Sequence, residues 1–213
     1  MATSRIAFPE RAPVLAAMML LPAVVIALLA AAPSQARVAP SGTRPGGMRA
    51  LVTFAWLRPA PGPASWRHTS TATTKATLFY PPGWKAIPGD PGTVTVSLRD
   101  AHGLYAGYLN VTPRQGAERL HGWAGFRTNR NREEGERQVR EVAAAEGLRF
   151  RNAHGSCVID DYLSKVGSHP YREIACILSG SGHTNVFIGA ALRSDWTALG
   201  GTLERAASAL LQR

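Results

Sequence analysis

The chain has only two cysteines, Cys157 and Cys176, and they stand at either end of one strand-turn-strand pattern, "CVIDDYLSKVGSHPYREIAC". If they pair across two antiparallel strands, each intervening strand residue acquires a partner. Ile159 falls opposite Ile174, Asp161 opposite Arg172 and Tyr162 opposite Tyr171, with the turn at Val166-Gly167. Period-two alternation then puts Cys157, Ile159, Ile174 and Cys176 on one face, apolar apart from the bridge itself. One pair resists. Asp160 meets Glu173, two carboxylates side by side, which predicts a slip or a bulge towards the tip. Closing this loop with a disulfide contributes about 3 kcal/mol in the chain-entropy model. A metal centre would need further ligands at suitable spacing, and a redox pair is disfavoured without CxxC. A staple remains, with two buried free thiols as the alternative.

The amino terminus supports the staple. Arg5 and Arg11 precede an apolar run from Val14 to Ala32, and Ser34-Gln35-Ala36 supplies small residues at a cleavage site. That is the layout of a secretory signal peptide over residues 1–36, and export leads to a disulfide-permitting, extracytoplasmic location. A retained membrane anchor is the alternative, since the run is long enough to span a bilayer. Residues 37–64 are rich in Pro, Gly and Arg and read as a flexible tether, with "ALVTFAWL" as a docking segment inside it. Residues 65–213 are enough for one domain with its own core.

Within that domain the expected fold class is α+β, a twisted, mainly antiparallel sheet flanked by helices. "ATLFY" is a strand ended by Pro81-Pro82, which cannot continue a ladder. "TVTVSLRD" alternates cleanly, and "LYAGYLNVT", apolar or aromatic on both faces, predicts an interior strand. "LRFR", "SCVID", "YREIACIL" and "NVFIGAAL" extend the sheet through short connections, which favours antiparallel pairing. Helical spacing predicts helices over 118–127, over 132–147 and, capped by Ser194 or Asp195, at the carboxy terminus. The last repeats Trp196, Leu199, Leu203, Ala206 and Leu210. Its Gly200-Gly201 pair costs helix propensity, for which a tight contact with the sheet is the expected reason.

Charge is the feature most open to a functional reading. The whole chain carries +10, and removing Arg5, Arg11 and Glu10 with the signal segment leaves +9. All but Lys75, Lys85 and Lys165 of the basic residues are arginine, an imbalance that coding bias in a GC-rich bacterium produces by itself. In "FRTNRNREEGERQVR" a continuous helix would pair Glu133 with Arg137 and Glu136 with Arg140. Arg127, Arg130 and Arg132 are left as a candidate anion-binding patch. Its partner would be an anionic envelope polymer, a lipid head group or an acidic protein. Nucleic acid is not expected, because no helix-turn-helix or stacking motif is present.

Catalytic chemistry leaves little trace. There is no GxSxG, HExxH or GxxxxGK[ST] motif, and no catalytic residue, metal site or cofactor is assigned. Ser181 and His183 in "GSGHTN" read as a turn between strands. Asp160 and Asp161 are not a dyad, because successive strand residues point to opposite faces. A hydrolase with a dispersed site and a small-ligand carrier remain the alternatives to a noncatalytic binding domain.

The order of elements, with "LFYPPGWKAI" and the turn and strand after it, resembles the PsbP and Mog families and their bacterial secreted and lipoprotein relatives. The matching residues are Tyr80, Pro81, Pro82, Gly83 and Trp84, and the likeness covers roughly 65–213. The resemblance implies a twisted antiparallel sheet with helices on both faces and a closing carboxy-terminal helix. It also implies noncatalytic partner binding, to a photosystem in one branch and to a small GTPase in another. No functional residue of either branch carries over, and the cysteine pair lies outside the general pattern.

Overall fold

The computed structural model describes residues 53–213. The expected signal segment 1–36, and the tether up to residue 52, lie outside the described residues. Among those described, the chain forms nine strands and two helices. In order they are β1 (Arg67–Ser70), β2 (Thr77–Tyr80), β3 (Lys85–Ile87), β4 (Val94–Arg99), β5 (Tyr105–Pro113), α1 (Trp123–Glu134), β6 (Arg137–Phe150), β7 (Ala153–Leu163), β8 (Pro170–Gly180), β9 (His183–Leu192) and α2 (Trp196–Ala209). β1 and β2 form a separate two-stranded ladder. The other seven make one sheet in the order β3-β4-β5-β9-β8-β7-β6, antiparallel at every junction. β5 is interior as expected, between β4 and β9.

The register of β7 on β8 is the one the cysteines dictate. Cys157 lies opposite Cys176 and is joined to it by a disulfide, Ile159 faces Ile174, Asp161 faces Arg172 and Tyr162 faces Tyr171. The slip expected at Asp160 and Glu173 does not occur. The two acids stay directly opposed in an unbroken ladder.

The helix expected over 132–147 is a correction. α1 ends at Gly135, whose left-handed φ of 97° is the usual exit from a helix; the next N–H, on Glu136, returns to Asn131 O at 3.0 Å. The chain then enters β6, paired with β7 through three irregularities in register. Its run of alanines and glutamates has helical propensity, but a tertiary partner with unpaired backbone groups outweighs a few tenths of a kcal/mol per residue. The helical pairs Glu133–Arg137 and Glu136–Arg140 therefore do not form. Arg140 reaches Asp161 on β7 instead, at 2.7 Å. The helix expected over 118–127 starts later, at Trp123, after Gly122 at φ 74°.

The two helices lie on opposite faces of the sheet. On one face the main core joins Leu78, Val96, Leu109, Ile174, Phe187 and the disulfide to Leu203 and Leu210. Phe54 is buried in this core and Trp84 closes it, so the Tyr80–Trp84 stretch ends β2 by planting an indole. On the other face Trp123 of α1 packs on Val158, Ala175, Ile177 and Val186. Among the described residues no helix is long and apolar enough to cross a membrane.

Candidate functional site

α1 packs on β6, β7 and β8. The same face of β4, β5 and β9 is left beside it, and between helix and sheet lies a cleft of about 710 Å³. Alternation along β4 and β5 supplies the floor with Thr95, Tyr108, Asn110 and Thr112, joined by Thr93 just before β4, while Leu109 and Val111 turn to the main core. The floor is wired. Asn110 Nδ2 donates to Thr95 Oγ1 at 2.8 Å, Thr112 Oγ1 donates to Asn110 Oδ1 at 2.9 Å, and the Thr93 and Thr112 hydroxyls meet at 3.2 Å. Trp123, Phe126, Arg127 and Arg130 of α1 make the opposite wall.

Below that wall sits the acid pair. Asp160 and Glu173 are both 0% exposed. Trp123, Arg127 and Asn131 recur every four residues on α1 and so share its inner face. Trp123 Nε1 donates to Ala175 O at 2.9 Å. Arg127 grips Glu173 at two points, Nε to Oε1 at 2.6 Å and Nη2 to Oε2 at 2.9 Å. Asn131 Nδ2 donates to Asp160 Oδ2 at 3.0 Å. Asp160 Oδ1 is buried and has no hydrogen-bond partner among the described residues. Two tyrosines extend the cluster towards the cleft: the Tyr108 and Tyr162 hydroxyls lie 3.1 Å apart, and Tyr162 makes a long 3.5 Å contact to Glu173 Oε2.

The electrostatics come down to two acids beside one cation, which pairs with Glu173. Burial and then the Glu173 charge push the Asp160 carboxyl up to about 8, against the weaker opposing effects of Arg127 and Asn131. Burial works against the Arg127 charge too, but Glu173 more than restores it, so the guanidinium stays ionised. Burial raises the Tyr108 and Tyr162 hydroxyls. Asp161, one residue along, points to the other face. Burial there opposes ionisation, yet Arg172 at 2.7 Å and Arg140 at 2.7 Å outweigh it and hold Asp161 below its ordinary value.

The three expected anion-binding arginines are dispersed by this arrangement. Arg127 faces inward and is spent on Glu173. Arg130 is exposed and paired with Glu134 at 2.9 Å. Arg132 donates to Asn129 Oδ1 at 2.8 Å and to Val139 O at 3.2 Å, neither a carboxylate. Ser181 and Gly182 form a two-residue turn at φ 50° and 78° between β8 and β9. Among the described residues no group of three or more His, Cys, Asp or Glu side chains is placed to hold a metal ion. Sequence reasoning missed the buried cluster. Its signals were the mismatched Asp160–Glu173 pair and the four-residue spacing of Trp123, Arg127 and Asn131, which together mark a helix face built to cover two acids.

No protein-family model matches the chain, and no curated protein matches it in sequence. Solved structures do match. The solution structure of cyanobacterial PsbP (CyanoP) from Synechocystis sp. PCC 6803 aligns with a TM-score of 0.50 at 20% identity, over 71% of this chain and 95% of that one. PA94 from Pseudomonas aeruginosa, a protein of unknown function, aligns at 0.40 and 9% identity over 70% of this chain and 99% of its own. LpqN, involved in cell envelope biogenesis of Mycobacterium tuberculosis, aligns at 0.37 and 11% identity over 71% and 80%. The chain has a PsbP-like fold.

Proposed function

We propose that this PsbP-like domain is a noncatalytic binding module of the cell envelope, and that its partner enters the cleft between α1 and the β4–β5–β9 face. The observation that carries this reading is the off-centre seat of α1, which leaves about 710 Å³ open over a hydrogen-bonded floor. Ligand sites generally fall between about 300 and 1,000 Å³ and present a few fixed polar groups. The disulfide supports an oxidising compartment, where such bonds persist. Asp160 and Glu173 lie fully buried beneath α1, where they hold a helix in place.

The lining also speaks to partner chemistry. Asp90, Glu118, Glu133 and Glu134 stand against Arg127 and Arg130, and Glu173 already neutralises Arg127. A polar ligand rich in hydrogen-bond donors suits these walls. A second reading places an anionic partner on the outer surface, where Arg132 is held by an amide and a carbonyl rather than by a carboxylate.

Passing native envelope extract over the oxidised 37–213 domain, across a salt series, tests the cleft. Asn110→Trp fills the floor without touching the core. The proposal expects a retained component that the Asn110→Trp domain, checked for an unchanged melting profile, fails to hold. Equal retention by both would overturn it. Retention lost instead with Arg132→Glu would favour the second reading.

A further inference from the structure

The buried acid pair has a charge balance that one cation cannot close. Asp160 and Glu173 are opposite each other in register and fully buried, and the Arg127 fork is committed to Glu173. The remaining Arg127 nitrogen, Nη1, faces Glu134 at 3.8 Å. Asp160 receives only the neutral amide of Asn131, on Oδ2. The other groups around it bring no second positive charge. On its own strand, Asp161 points to the opposite face and is tied to Arg140 and Arg172. On β6 the residue in register with Asp160 is Glu141, another acid, and it is exposed. On β8 stands Glu173. From α1 come Arg127, Asn131 and, at the rim, Glu134; Tyr108 and Tyr162 lie beyond Glu173 and are neutral. An ionised Asp160 would be a buried anion with one oxygen unbonded, which burial in a low-dielectric layer penalises heavily.

We propose that Asp160 keeps its proton beside the ion-paired Glu173, and that its loss at alkaline pH loosens α1 from the sheet, making the helix a proton-held latch on one wall of the cleft. The proton removes the uncompensated charge from a carboxyl whose Oδ1 no donor reaches. When it leaves, two facing carboxylates compete for a single guanidinium. Water then reaches the second carboxylate most readily by lifting the helix that covers it. The direction in which burial and Glu173 push the Asp160 carboxyl agrees with this geometry. α1 is suited to give way, since Trp123, Arg127, Asn131 and Arg132 supply side-chain ties to the sheet and two of the four involve the acid pair.

The consequence for ligand binding rests on the cleft reading; the latch itself does not, and it is read without any ligand. Carbon-13 NMR of the labelled 37–213 domain tracks the Asp160 carboxyl directly. Amide hydrogen exchange over 127–134, corrected for intrinsic rate, tracks α1. The latch predicts that Asp160 titrates well above the ordinary carboxylate range. It also predicts that α1 protection falls by at least about tenfold between pH 7 and 9.5 relative to the disulfide-bearing strands, as each unit above the titration leaves tenfold less protonated carboxyl. In Asp160→Asn, α1 protection should be flat with pH. Glu173→Gln, which removes the competing charge instead, should also flatten it and serves if the first variant folds poorly. An Asp160 carboxyl that titrates near pH 4, or α1 protection that falls equally in wild type and variants, would overturn the proposal while leaving the cleft reading untouched. A cleft that retains nothing would leave the latch standing.

Discussion

Arg127 and Glu173 meet in a two-point ion pair in the layer between α1 and the sheet, with Glu173 fully buried and Arg127 nearly so. The arginine that looks like a surface cation in sequence is the tie that seats the helix. Burying such a pair need not stabilise the fold in net terms, but removing one partner leaves the other charge stranded. Arg127→Met is therefore expected to cost about 3–5 kcal/mol, read by urea denaturation at neutral pH. The double variant Arg127→Met/Glu173→Leu, which removes both charges, should recover most of that loss.

Neighbouring Asp160 and Asp161 should leave opposite marks on stability against pH. Asp160 is raised from 3.8 to about 8 in the folded chain, so between those values the unfolded state has released a proton that the folded state keeps. Stability from this group thus falls as pH rises from about 4 to about 8, then levels. Asp161 is lowered, so its contribution is present above its unfolded value and is lost as pH falls through the folded one. Comparing wild type with Asp160→Asn and with Asp161→Asn by denaturation across pH checks both signs. The Asp160→Asn gain should grow towards pH 8, and the Asp161→Asn penalty should vanish in acid.

The disulfide joins β7 to β8 inside the main core, with Cys157 and Cys176 essentially unexposed. Replacing both by alanine should keep the strand content and lower stability by about 2–4 kcal/mol. Urea midpoints of the variant and the oxidised protein measure the difference.

The glycine pair of α2 splits into two cases. A Cβ on Gly200 would lie 3.1 Å from the Trp196 ring, one turn back on the same helix, while a Cβ on Gly201 would meet open space. The tight contact is thus with Trp196 rather than with the sheet. Gly201→Ala is expected to stabilise by about 1 kcal/mol, and Gly200→Ala to give none of that gain, as thermal melts of the two variants would show.

Much of the fold was legible because strand period and turn chemistry are local. One assumed pairing, Cys157 with Cys176, placed Ile159, Asp161 and Tyr162 against their partners, and the Tyr80–Trp84 stretch pointed to the right fold. β6 was not legible, since its alanines and glutamates favour helix and only the free edge of β7 makes it a strand. The slip expected at Asp160 and Glu173 failed for the same kind of reason. Two opposed acids are unfavourable in an isolated hairpin, but Arg127 and Asn131 arrive from a helix some thirty residues upstream of Asp160. The cleft was invisible because it is set by where α1 stops covering the sheet, which no local pattern encodes.

The most direct test of the cleft is a map of backbone amide shifts as the domain takes up the component it retains from envelope extract. The account predicts that the changes gather on Thr95, Asn110 and Thr112 of the floor and on α1 from Trp123 to Arg130. Shifts confined to the surface around Arg132, or to the β6 edge, would contradict it.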